Sequence, residues 1–210
     1  MIGSKHNRIA LVVVLLFGCI LYYVGTDGFR AFTAETARFN QLMKTQPQFP
    51  DVTFVDSNER VYSFSEFENK HVFITFMYTA CTTVCWQLES NMGHVYDRIP
   101  KQYLSEDIVF LSISFDPERD DPATLDQYKD YFGSDGETWR MATIPDQAEL
   151  DNLLKEFGVI VIPNGNGDFM HNSAFYLVNR QGTLTSIMDF TNIEDAVSTV
   201  SSILESDKGE

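Results

Sequence analysis

The chain has 210 residues, long enough for one domain with a substantial core plus a terminal extension. Its 30 Asp and Glu against 15 Lys and Arg leave a net charge of -15; the first 30 residues carry +2, so the other 180 hold -17. A surface of that sign repels phosphate backbones, which argues against nonspecific nucleic-acid binding and favours a cationic partner or one with a basic docking patch.

Ile9 to Val24 reads IALVVVLLFGCILYYV and carries no charge. As a helix it would rise about 24 Å against a hydrocarbon core of about 30 Å, with uncharged neighbours and the interfacial Tyr22 and Tyr23 to extend it. Lys5 and Arg8 precede the run. The positive-inside rule therefore predicts a cytoplasmic N-terminus over 1–8, a transmembrane anchor over 9–25 and export of the rest. No Ala-x-Ala pattern follows, as a cleaved signal peptide would need. Leu16-Phe17-Gly18-Cys19 is a poor lipoprotein site, because Phe17 is bulky and apolar residues continue beyond Cys19. An uncleaved anchor is expected, with cleavage or lipidation at Cys19 as the alternative. Cys81 and Cys85 are then the only cysteines of the exported domain, a pair that an oxidising compartment makes a disulfide, a redox centre or a metal site.

Residues 26–47 read as a juxtamembrane linker with a helical piece, which Pro47 and Pro50 end. Thr53 to Val55 and Val61-Tyr62 flank Asp56-Ser57-Asn58 as a short hairpin, and Ser65 to Asn69 makes a single turn. Val72 to Tyr78 is apolar or β-branched without a turn signal, which suits a strand buried on both faces of an α/β domain. Cys81 and Cys85 follow, where a helix begins that runs to Ile99 and stops at Pro100. Residues four apart on a helix share a face, so both sulfurs can point at one ligand or at each other. Free amides in the first turn favour their thiolates. The plain alternative is a pair of small hydrophobes filling the core beneath a strand end.

Ile108 to Phe115 is the next strand, and the charged loop from Asp116 to Pro122 lies at its C-terminal end, the usual place for functional loops in such sheets. Helical spacing covers Ala123 to Phe132, a short strand Arg140 to Thr143, and an amphipathic helix Gln147 to Phe157 with Gly158 as its C-cap. Residues 163–168 form a loop by composition, with His171 at its far end. Phe175 to Asn179 and Thr183 to Met188 predict a hairpin turned at Arg180-Gln181-Gly182. Ile193 to Leu204 makes the last helix before an acidic tail over 206–210. The alternation predicts an α/β sandwich with a mixed sheet over 48–205.

This ordered set of pieces resembles the SCO/SenC copper proteins. The resemblance rests on the strand leading into Cys81-x-x-x-Cys85, the Asp116-Pro117-Glu118-Arg119-Asp120 loop, Phe157-Gly158-Val159, and His171 with Tyr176-Leu177-Val178 and Gly182 behind it. CxxxC alone is a weak signal; the order of all four is specific. The resemblance implies a thioredoxin-like fold with a mixed central sheet, an N-terminal hairpin extension and one transmembrane helix. It also implies a membrane-tethered metallochaperone that assists assembly of the copper centre of cytochrome c oxidase. A short N-terminus without transit-peptide character points to a bacterial inner membrane, single-pass, with the C-terminal domain facing the periplasm.

Carried over by position, Cys81, Cys85 and His171 become the ligands of one copper per domain, as Cu(I), Cu(II) or both. Two thiolates and an imidazole suit copper, although zinc accepts the same atoms. The implied partners are cytochrome c oxidase subunit II or another extracytoplasmic copper protein, with a thioredoxin-like reductant beside them; no enzymatic turnover is required. Two other functions compete. One is a thiol-disulfide oxidoreductase in which Cys81 or Cys85 attacks and the other resolves; the second is a tethered interaction module with a structural disulfide. Met170 is read as packing or as an outer thioether ligand, and Asp116 as fixing its own loop or orienting a ligand. The chain departs from the family pattern at Thr82 and Trp86, where proline usually follows each cysteine, and at Asp168-Phe169-Met170, which replaces the usual lead into the histidine.

Overall fold

The uncharged N-terminal run forms a helix, and the later apolar runs form the inner strands of one sheet, in the computed structural model of the protein, which describes residues 3–26 and 33–208. Residues 27–32 of the predicted linker and the last residues of both termini lie outside the described part. The chain divides into two units, 1–45 and 46–210. The first holds α1 (Gly3–Gly25) and α2 (Ala34–Thr45). Within α1, Asn7–Gly25 has a mean hydropathy of 2.2 and no buried residue, which makes it long and apolar enough to cross a membrane.

The second unit is built on a seven-stranded sheet. Its strands are β1 (Thr53–Asp56), β2 (Val61–Ser63), β3 (His71–Met77), β4 (Ile108–Ser114), β5 (Trp139–Thr143), β8 (Phe175–Val178) and β9 (Leu184–Met188), in the order β2-β1-β5-β4-β3-β8-β9. The connecting helices are α3 (Val84–Arg98), α4 (Pro122–Asp130), α5 (Gln147–Glu156) and α6 (Ile193–Asp207). Strands β3, β4 and β5 run parallel, β8 lies antiparallel to β3, and β9 antiparallel to β8. The order β4-β3-β8-β9, with α3 as the crossover and α6 closing the chain, is the thioredoxin-like unit; β5 and the β1–β2 hairpin extend one edge of it.

Every residue of β3 and β4 is buried, as largely apolar runs require of strands covered on both faces. Phe73 packs against Phe110 and Phe175 with ring centroids 5.0 and 4.9 Å apart, and each such burial contributes about 1.5–3 kcal/mol. Helix starts follow their caps: Asp121 accepts from the Thr124 N–H ahead of Pro122, and Asp146 accepts from Ala148 and Glu149. Gly158 closes α5 at φ +64°, a conformation that costs glycine little.

Two elements differ from expectation. The predicted loop over 163–168 is the turn of a separate ribbon, β6 (Val161–Pro163) paired with β7 (Phe169–His171). Its strands are too short to show a period; the Asn164 side chain shapes the turn by accepting from the Asn166 and Asp168 amides at 3.0 and 3.2 Å. Helix α6 continues three residues past its predicted end, because Asp207 accepts from the His71 ring and the Arg180 guanidinium, both at 2.8 Å.

Candidate metal centre

Strands β3 and β4 deliver residues 78–86 and 115–121 to the same end of the sheet, and the site stands there. Cys81 is not on α3; it occupies the turn before it, and its Sγ accepts the Cys85 N–H at 3.4 Å. The sulfurs therefore meet because Cys81 folds over the helix N-terminus, which corrects the expectation of a shared helical face. Cys81 is 7% exposed and Cys85 fully buried. His171, the last residue of β7, brings Nε2 to 3.3 Å from the Cys85 Sγ. Its Nδ1 lies 3.1 Å from the Asn172 carbonyl and 3.3 Å from the Ser173 hydroxyl. A proton on Nδ1 satisfies that carbonyl and leaves the Nε2 lone pair turned toward the sulfurs, the orientation that metal-binding histidines use.

The three donor atoms lie within 4.8 Å of one another. Bonds of about 2.0–2.3 Å place donors roughly 4 Å apart around one ion, so a small inward movement is enough for this trio to share a metal. The donor set fits copper: thiolates for Cu(I), imidazole for Cu(II) as well.

The two thiols titrate as a pair. A hydrogen bond from the Cys85 thiol holds the Cys81 thiol well below its usual range, to about 4, with the backbone amides of Cys85 and Thr83 adding to the effect against burial. The same bond, together with burial, pushes Cys85 up. Both directions describe one interaction, in which the more buried sulfur keeps the proton and donates it to the other.

One turn beyond Cys85, Glu89 is fully buried and accepts from the Thr75 and Ser112 hydroxyls at 2.8 and 2.7 Å. Burial pushes its carboxyl up to about 7, against the pull of those hydrogen bonds. A glutamate in a helix ordinarily reads as solvent-facing, so no signal in the sequence pointed to this residue.

Aromatic rings enclose the histidine. Phe115 lies 5.0 Å and Tyr78 6.1 Å from the His171 ring, and the Tyr78 hydroxyl accepts the Phe169 N–H at 3.3 Å. Asp120 is buried and accepts from the Thr79 amide and hydroxyl at 3.0 and 2.5 Å, while Asp116 pairs with Arg119 rather than with a ligand. Met170 is 62% exposed: strand alternation puts Phe169 and His171 on one face of β7 and Met170 on the other, opposite Ile162. It is neither packed nor turned to the donors. At the departures, Thr82 is exposed and Trp86 lies against the Tyr131 and Phe132 rings at 5.6 and 4.9 Å.

A thioredoxin-like domain in which two thiols and an imidazole converge at the end of the central strands defines a class of thiol- and imidazole-donor metal-site proteins. The SCO1/SenC family model matches residues 40–205, and the chain belongs to that family. The SCO1 protein homolog of Bacillus subtilis is 27% identical over 145 residues, which cover 68% of this chain and 73% of that one. Among solved structures, Bradyrhizobium japonicum ScoI with copper bound superposes with a TM-score of 0.62 at 24% identity, covering 74% of this chain and 99% of ScoI. BsSco, a member of the Sco family of cytochrome c oxidase assembly proteins, does so with a TM-score of 0.64 at 24% identity, over 74% of this chain and 92% of BsSco.

Proposed function

We propose that the protein is a membrane-tethered copper metallochaperone that carries one copper at Cys81, Cys85 and His171 for the copper centre of cytochrome c oxidase. The observation that carries this reading is the convergence of three soft and borderline donors within 4.8 Å, two from one turn and the third from a distant part of the chain. A copper-bound relative of the same fold and the oxidase-assembly role of another Sco protein support it. As cargo, Cu(I) is retained by the two thiolates and Cu(II) needs the imidazole in addition. Three protein ligands leave a position for a donor from the client, either oxidase subunit II or another extracytoplasmic copper protein. In this reading α1 is the anchor, with Lys5 and Arg8 on the cytoplasmic side of a bacterial inner membrane and the acidic domain in the periplasm.

The test is a copper titration of the reduced full chain in detergent beside H171A, with Cu(I) and Cu(II) followed separately. One equivalent bound tightly by the wild type, with Cu(II) binding weakened at least tenfold in H171A, is expected. Equal binding by both proteins overturns the site.

A second reading, thiol-disulfide exchange, is favoured by the lowered Cys81 thiol. In it Cys81 attacks a disulfide sulfur and Cys85 displaces the bound thiol from the mixed disulfide, which leaves a Cys81–Cys85 disulfide and two client thiols. Rapid reduction of a disulfide-bonded copper-site peptide, unaffected by H171A, would place this activity first.

A further inference from the structure

We infer that Arg119 is a positioning residue that sets where His171 stands relative to the cysteine pair; the inference rests on the copper-carrier reading of the site. His171 belongs to the β6–β7 ribbon, whose strands pair with each other and not with the main sheet. Something other than the ladder must fix the third donor. The Arg119 guanidinium lies 5.4 Å from the Phe169 ring centroid and 5.6 Å from that of Tyr78, two rings that meet edge to face at 88°. It thus covers the seam between the ribbon and the end of β3. Asp116 grips its Nε and holds the fork in place. A Cβ built on Gly167, in the ribbon turn, would come 3.8 Å from the Arg119 Nη1, so the side chain reaches as far as that turn.

The opposite end of the same loop grips the cysteine half of the site. Asp120 binds both the amide and the hydroxyl of Thr79, two residues before Cys81. Residues 116–120 therefore bracket the centre, with the thiols referenced through Asp120 and the imidazole through Arg119. The planar cation matters here, because a guanidinium can lie against ring faces while its Nε bonds a carboxylate; an ammonium cannot do both equally well. Without Arg119 the ribbon keeps its own hydrogen bonds, the Tyr78 bond to the Phe169 amide and the Phe115 ring contacts, but loses its charged tie, so His171 is held less firmly beside sulfurs that stay in place.

The experiment uses the full chain in detergent, as wild type, Arg119→Gln, Arg119→Lys, His171→Ala and the double variant R119Q/H171A. R119Q is expected to weaken Cu(II) roughly tenfold or more, as loss of an outer partner does, with a fall in the thiolate-to-Cu(II) absorption band and little change in Cu(I) affinity. R119K recovers part of the loss. In the H171A background R119Q adds nothing, because a residue that acts through the imidazole has no effect once the imidazole is gone. Cu(II) binding by R119Q equal to wild type overturns the inference, and so does an equal loss in both backgrounds. Should the wild type bind no copper, the carrier reading falls, and the metal-free protein decides the positioning role separately: diethyl pyrocarbonate modifies His171 several-fold faster in R119Q if Arg119 holds it, and at the wild-type rate if it does not.

Discussion

Replacing Glu89 with glutamine tests how a buried carboxylate beneath the thiol pair couples folding to pH. The rise of this group from 4.5 to about 7, at about 1.4 kcal/mol per pH unit, corresponds to about 3 kcal/mol. The sign follows from the direction. A carboxyl whose folded value lies above its unfolded value binds its proton more tightly in the folded state. Its favourable contribution is complete below the unfolded value and is lost as pH rises through the folded one. The wild type should therefore lose about 3 kcal/mol from this group between pH 4.5 and roughly pH 7.5. The glutamine side chain of E89Q cannot ionise, while its amide keeps the size of the carboxyl and can still bond the Thr75 and Ser112 hydroxyls, which rotate to suit. Urea unfolding of both proteins at matched pH isolates the term, since other titrating groups cancel in the difference. That difference should move in favour of E89Q by about 3 kcal/mol across the window. A difference that stays constant with pH would refute the reasoning and mean that Glu89 is hydrated or paired in a way its burial does not reveal.

The thiol pair makes a kinetic prediction. In the metal-free reduced protein, iodoacetamide at pH 6 should modify Cys81 and spare Cys85, at a rate that stays flat up to pH 8, because the Cys81 thiolate is already formed. Peptide mapping by mass spectrometry reads the site, and equal labelling of both cysteines would sink the assignment. At the other end of β3, Asp207→Asn weakens the carboxylate that accepts from His71 and Arg180. A loss of about 1–3 kcal/mol should lower the melting midpoint by several degrees, and an unchanged midpoint would show that the end of α6 is not held by this cluster.

Much of this protein was legible in the chain itself. The runs Val72 to Met77 and Ile108 to Ser114 stand as inner strands because a largely apolar or β-branched segment without a turn signal has to be covered on both faces, and such a segment announces itself locally. The turn at Arg180-Gln181-Gly182 and the Gly158 cap are near-neighbour chemistry of the same kind. Cys81, Cys85 and His171 were singled out as candidates by the resemblance that the order of the pieces around them carries. Local signals could not show how Cys81 meets Cys85, because that depends on where the helix starts: it starts at Val84, and the first sulfur turns back over the Cys85 amide.

Other features depended on distant partners. Glu89 is buried only because β3 and β4 present Thr75 and Ser112 to it, and α6 extends to Asp207 only because His71 and Arg180 stand where it ends. The sequence by itself determined the inner strands and the turns, since each is written in adjacent residues, and through its family resemblance it singled out three candidate donors. Tertiary structure alone decided that an imidazole 86 residues beyond Cys85 would come within 3.3 Å of its sulfur. The physical reason is that a distance between residues so far apart is set by sheet order and by side chains packing across it, and neither is a property of any short stretch of chain.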